Sequence, residues 1–259
     1  MLTPLKCFSW IKVSRRSASE QPTKRAATEV NGHGMCRMDR LLDYRFDGKN
    51  MSPITLKIYE LVIEPLLRRW KTNITALIRQ TPQAVLDVCC GIGAQCRMIR
   101  PPTPVIGVDL DLSALRHARR LSPKVSFVCA DAAHLPFRRP VFQAAVLSLA
   151  LHDKAERLRR DMIGELLPLL AADGKIILLD FERPCSVKSR IGYAVIWLIE
   201  RLAGREHFGN GREFVRRGGL SAFLCRLNLP TETVHQSVWG SSSIRIVRPG
   251  RAHDQVMRR

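Results

Sequence analysis

The sequence predicts an α/β protein built on an open parallel sheet, and three observations carry that prediction. The first is the stretch AVLDVCCGIG at residues 84–93, a short apolar run holding one carboxylate, Asp87, and closing on Gly91 and Gly93. A run so short, and bounded by glycine, fits a buried parallel strand better than a helix. The second is a pair of further apolar runs, at residues 105–108 and 125–129, each followed at or near its carboxyl end by an aspartate, Asp109 and Asp131. Open parallel sheets bind their ligands at that end. The third is the alternation of strand-like and helix-like stretches that continues to residue 179. Such alternation implies a parallel sheet with helices on both faces.

Residues 1–34 show no sustained periodicity, no acidic residue before Glu20 and a loose NGHGM at 31–35. They read as a disordered basic tail. Their Arg- and Ser-containing start resembles an organellar transit peptide, and an initiator at Met35 with a start-site artefact upstream is the competing reading. Residues 35–82 are expected to form an N-terminal helical cover. Within it, residues 51–78 place Ile54, Ile58, Leu61, Val62, Leu66 and Leu67 near helical spacing, with Pro65 predicting a kink or break.

After the glycine turn, residues 94–99 open a helix whose free N–H groups face whatever lies on the turn. A basic-faced helix is expected over Leu112–Leu121, a fourth strand over 142–149, a charged helix over 154–170 and a fifth strand over 175–179, entered through Asp173-Gly174. Asp153 is expected to cap the charged helix. Beyond residue 181 the alternation lapses. IGYAVIWLIERLA at 191–203 is strongly apolar but too short to span a bilayer, and reads as a core helix or as a lid over a greasy pocket. Helical stretches follow at 207–217 and 220–227, separated by Gly218-Gly219, and then two strands at 233–238 and 243–247.

The ordered motifs resemble the class I S-adenosylmethionine-dependent methyltransferases, and within them the small-molecule branch that includes the ubiquinone and menaquinone biosynthesis enzymes. The matching pieces are VLDVCCGIG at 85–93, VIGVDLD at 105–111, FVCADAAHLPF at 127–137, FQAAVLSLALHD at 142–153 and DGKIILLDF at 173–181. The resemblance implies a Rossmann-like, seven-stranded sheet over residues 83–259, closed by an antiparallel hairpin. It also implies a helical cover from residues 51–78 and 188–227, the latter inserted beside the acceptor pocket. S-adenosyl-L-methionine is the implied cofactor. Asp87, Gly91 and Gly93 are expected to cradle it, Asp109 to accept the ribose hydroxyls beside Leu110, and Asp131 with Ala132 to meet the adenine, with Ser148 at the end of the fourth strand. The family usually has glycine where this chain has Cys89. The implied acceptor is a small, hydrophobic, quinone-like molecule. His152 is the candidate base for an acceptor that must lose a proton, with a packing histidine as the alternative.

Composition bounds the other readings. With 259 residues, 46% of them hydrophobic, the chain can bury a full core. Its eight cysteines include no CxxC pair, so neither a zinc site nor a disulfide framework is expected, and reduced thiols point to the cytoplasm. The net charge of +19 lies mostly outside residues 82–180. Such a surface suits nucleic acid or an anionic membrane face. A nucleic-acid methyltransferase is disfavoured because no aromatic-basic interleaving is found. A nicotinamide-dependent oxidoreductase would want a third glycine where Cys96 stands. A non-catalytic cofactor-binding relative stays open, and the sequence carries no sign of oligomeric state.

Overall fold

Seven strands form one sheet in the order β3-β2-β1-β4-β5-β7-β6. They are β1 Ala84–Val88, β2 Val105–Asp109, β3 Ser126–Cys129, β4 Phe142–Ser148, β5 Leu170–Phe181, β6 Thr231–Gln236 and β7 Ser242–Val247. The first five are parallel, whereas β7 runs antiparallel to β5 and β6 antiparallel to β7. The computed structural model describes residues 51–79, 82–137, 140–191, 193, 205–237 and 240–248. The expected tail at 1–34, residues 35–50 of the expected cover and most of the apolar stretch 191–203 lie outside them. All the elements named here belong to one unit, residues 48–135 with 140–259.

Burial follows position in the sheet. Central β4 is buried along six of its seven residues, as expected for a strand covered on both faces, while β6 is mostly exposed, with the polar sequence TETVHQ suited to an edge. The fifth strand is longer than the apolar run suggests. Leu170 already pairs with Phe142, residues 171–174 loop out, and pairing resumes at Lys175 opposite Ala144. Asp173-Gly174 is thus an excursion within the strand. A Cβ on Gly174 would lie 2.9 Å from the carbonyl oxygens of Ala171 and Phe142, so glycine is needed there.

Among the helices, α3 spans Ala94–Met98, α4 Leu112–Leu121, α5 Glu156–Leu166, α6 Arg205–Arg216 and α7 Gly219–Arg226. The charged helix is shorter than expected at both ends. Pro168 lacks an N–H, and the chain tightens into a 3-10 turn at Leu167–Leu169. At the other end the cap position is Ala155, without a side-chain bond, and Asp153 instead pairs with Lys154 at 2.5 Å. The capping expectation for Asp153 is corrected: its carboxylate lies too early to reach the helix and answers the adjacent ammonium.

The N-terminal segment forms α1, Pro53–Ile58, and α2, Glu64–Ala76, joined by a π-helical turn at Tyr59–Ile63. Ser52 caps α1 by accepting from the Thr55 amide at 3.1 Å. Pro65 cannot donate to the preceding turn, and the helix widens into the π-turn there rather than ending. The apolar residues that reveal this helix in the sequence are not those that anchor it. Leu56, with Met51 and Tyr59, packs on Ile92, Ala94 and Ala114, whereas Ile54, Ile58, Leu61, Val62 and Leu66 face solvent.

Candidate active site

The site begins where β1 ends. Cys89, Gly91 and Gly93 all take left-handed backbone angles, with φ of 57°, 52° and 67°, which turn the chain sharply from β1 into α3. Glycine adopts this region without strain, whereas a side chain there is unfavourable, so Cys89 stands in a conformation suited to the glycine it replaces. The two glycines serve different ends. Open space surrounds the position of a Cβ on Gly91, while one on Gly93 would meet the Phe127 ring at 2.8 Å and Ala118 at 3.1 Å. Gly91 therefore leaves room above the main chain, and Gly93 answers at least in part to packing.

Three aspartates shape the same edge of the sheet, each differently. Asp109, at the end of β2, accepts from the Gly91 amide at 2.7 Å through one carboxylate oxygen and from the Asp111 amide at 2.9 Å through the other. Burial raises its pKa, against the lowering effect of those two amides. Asp131, after β3, accepts from the Ala133 amide at 2.9 Å and lies 3.4 Å from His134 Nδ1, with Ala132 buried beside it. Asp87 is otherwise placed: it is buried and accepts from the Cys96 thiol at 3.0 Å, beneath the turn rather than above it. Burial pushes its pKa up to about 6, with the Cys96 hydrogen bond and the Lys71 ammonium pulling the other way. Leu110 is partly exposed beside Asp109, and Ser148 ends β4 opposite Leu179.

Asp111, the last residue of the VIGVDLD motif, has a role that the motif does not reveal. It caps α4 through the Ser113 and Ala114 amides at 2.8 and 3.0 Å, and its other oxygen accepts from the Met51 amide at 2.8 Å. One carboxylate thus fixes the start of the N-terminal helix against the β2 edge. On the far side, Gln95 donates to Thr75 Oγ1 at 2.8 Å and to the Lys71 carbonyl at 3.3 Å, joining α3 to α2.

Past β4 the chemistry changes from backbone to side chain. His152 is buried, its Nδ1 lies 2.9 Å from Asp180 Oδ1, and its ring packs on Phe181 with centroids 4.4 Å apart. Asp180 also accepts from the amides of Leu151, His152 and Phe181 at 2.9, 3.2 and 2.8 Å, so it holds the loop after β4 to the end of β5. Arg159, fully buried on α5, donates to the carbonyls of Leu151, His152 and Asn210 and to Glu213, and lies 4.7 Å over the Phe214 ring. Sequence reading missed both: Asp180 sat inside a quoted motif, and Arg159 looks like any charge on a solvated helix. Lys154 lies partly exposed beside this loop. Burial alone would lower its pKa, but the Asp153 carboxylate outweighs that and raises it.

A cavity of about 500 Å³ opens past β5, lined by Glu182, Ser221 and Gln236 among others and by none of the glycine-turn residues. Glu182 is taken up structurally, accepting from Ser243 and Ser221 hydroxyls at 2.6 Å each and from Arg245 Nε at 2.8 Å. Burial raises the pKa of the Cys89, Cys90, Cys96 and Cys129 thiols, so none is favoured as a thiolate nucleophile.

The open space over Gly91 and the strand-end carboxylates Asp109 and Asp131 fit an adenosyl ligand laid across the end of β1. The strand order is that of the Rossmann-like class I methyltransferase fold. Residues 85–174 match the family described as "Methyltransferase domain". A demethylmenaquinone methyltransferase of Renibacterium salmoninarum is 29% identical over 119 residues, 45% of this chain and 49% of that one. The chain thus spans about half the length of that relative. Among solved structures, an O-methyltransferase family protein from Burkholderia thailandensis superposes with a TM-score of 0.55 at 16% identity, covering 76% of this chain and 60% of that one. The N-methyltransferase NodS from Bradyrhizobium japonicum, in complex with S-adenosyl-L-homocysteine, gives 0.52 at 13% identity over 76% and 92%. These likenesses support the fold, and the sequence relative supports a resemblance to the quinone methyltransferases. Among the described residues, no helix is long and apolar enough to cross a membrane.

Proposed function

We propose that this chain methylates a small, hydrophobic, quinone-like acceptor using S-adenosylmethionine. The observation that carries the reading is the β1 turn, where Gly91 leaves open space and donates its amide to Asp109 at 2.7 Å. That amide fixes the carboxylate while its remaining lone pairs stay able to accept ribose hydroxyls. In this reading Leu110 flanks the sugar, Asp131 and Ala132 meet the adenine, Ser148 lies toward the acceptor side, and Asp87 supports the turn from below. When bound, the cofactor supplies a methyl group already activated on a sulfonium.

The protein's task is then alignment and exclusion of water. The loop after β4 serves it through rigidity, since Asp180 and Arg159 fix both its amides and its carbonyls. His152 is the proton acceptor for an acceptor hydroxyl that must ionise. With Nδ1–H donated to Asp180, Nε2 is the basic atom, and the carboxylate stabilises the imidazolium that forms. The support for a quinone-like acceptor is the name of the sequence relative, a demethylmenaquinone methyltransferase.

Thermal melting with S-adenosylhomocysteine, NAD or RNA tests the reading, because a ligand that binds only the native state raises the midpoint. A rise with S-adenosylhomocysteine alone is expected. A rise with NAD in its place would overturn the assignment.

A further inference from the structure

The surface of the N-terminal helix carries a feature that the cofactor site does not use. Ile54, Ile58, Leu61, Val62 and Leu66 are 73%, 53%, 74%, 53% and 64% exposed. Their spacings of four, three, one and four residues place them along one side of the helical rod. The opposite side is the packed one, through Leu56 and Ile74. Five large aliphatic side chains in one exposed row exceed the scatter of single apolar residues found on any surface.

Charge identifies the occupant. Lys57, Arg68 and Arg69 are exposed on the same helix, and Arg116 and Arg120 are exposed on α4, which lies alongside it through the His117–Glu60 contact at 3.0 Å. The two carboxylates of the segment are both engaged, Glu60 with His117 and Glu64 with Lys71 at 2.5 Å. The row of aliphatic groups is therefore flanked on its own helix by the cations Lys57, Arg68 and Arg69, with no uncommitted carboxylate of that helix among them. We infer that this face is a docking surface for an anionic lipid bilayer. The aliphatic row enters the boundary between headgroups and acyl chains while the arginines and lysine meet the phosphates. A second copy of the chain would set cations against cations. Nucleic acid would satisfy the cations but leave the aliphatic row wet.

The location bears on the site, because the same helix is tied to the cofactor edge through the Met51 amide on Asp111 and the packing of Leu56 on Ile92. A protein seated on this face would present that edge next to the membrane, where a lipid-soluble acceptor is concentrated. The inference rests on the exposed row rather than on the methyl-transfer reading. A chain that sediments with vesicles yet fails to bind S-adenosylhomocysteine keeps the one and loses the other.

Sedimentation of the full-length protein with vesicles decides it. Wild type is expected to pellet with phosphatidylglycerol-containing vesicles, less with pure phosphatidylcholine, and to be released by salt, as an electrostatic component requires. The double variant Leu61→Glu/Val62→Glu should lose tenfold or more in partitioning while keeping its melting midpoint and its affinity for S-adenosylhomocysteine, since both side chains are exposed. Lys57→Glu/Arg68→Glu should abolish the preference for anionic vesicles. The inference is overturned if wild type stays in the supernatant, or if the Leu61/Val62 variant pellets like wild type. It is equally overturned if the aliphatic row mediates a dimer that the variant dissolves, with no vesicle binding.

Discussion

The two halves of the sheet edge are built by different means. At β1, β2 and β3 the groups that matter are main-chain amides and short carboxylates close in sequence: Asp109 on Asp111, Asp111 on Ser113, Asp131 on Ala133. At β4 and β5 they are buried charges that reach across the chain, Asp180 to Leu151 and Arg159 to Glu213. The first design leaves a rigid main-chain surface with room above it. The second immobilises a loop by surrounding it with buried donors and acceptors. A change on the first side should therefore act mainly on ligand affinity, and a change on the second mainly on stability.

The largest expected effect breaks the second side. Arg159→Met removes the donor to three carbonyls, whereas Glu213 keeps Arg217 at 3.0 Å, so unfolding free energy should fall by about 2–4 kcal/mol in urea titration, chiefly through the unpaired carbonyls. A loss below about 1 kcal/mol would show that water replaces the guanidinium and that the clamp is not what rigidifies the loop.

Asp87 sharpens the comparison because it is a buried carboxylate on the ligand side. Its folded pKa, raised to about 6 from 3.8, means that the folded state holds the proton more tightly than the unfolded one. The stability linked to that proton is fully present below the unfolded value and is lost as pH rises through about 6. At neutral pH the ionised group should cost roughly 2–4 kcal/mol relative to an ordinary aspartate. Asp87→Asn should accordingly flatten the fall in stability between about pH 4 and pH 7, measured by denaturation at several pH values. An unchanged slope would place the titration elsewhere.

Asp109→Asn tests the affinity side. It keeps an oxygen for one of the amides but removes the charge offered to the ribose, so S-adenosylhomocysteine should bind about 1.5–3 kcal/mol more weakly by calorimetric titration. The melting midpoint should move little by comparison. The smallest effect is expected at Cys89, where glycine would relieve a left-handed backbone angle. Cys89→Gly should gain up to about 1 kcal/mol of stability, offset in part by a freer unfolded chain, and should tighten S-adenosylhomocysteine binding. Weaker binding would mean that the thiol itself contacts the ligand.

By itself the sequence determined the strand, turn and helix at 84–98 and the strand-end aspartates, because a parallel βα unit is a local object. Its apolar run, its glycines and its carboxylate all lie within a few residues of one another. The run 112–121 was legible as a helix for the same reason. Tertiary structure alone decided the long-range partners of Arg159, Asp180 and Glu182, each of which has at least one partner 28 or more residues away. A buried charge and a solvated one have the same letter in a sequence, and only the fold supplies the partners that distinguish them. It also decided which side of the N-terminal helix faces in. That helix is apolar around much of its circumference, so periodicity identifies a helix but leaves open whether Leu56 or Leu61 meets the core. The answer came from the glycine turn and α4, which offer Ile92, Ala94 and Ala114 to one side and leave the other to solvent.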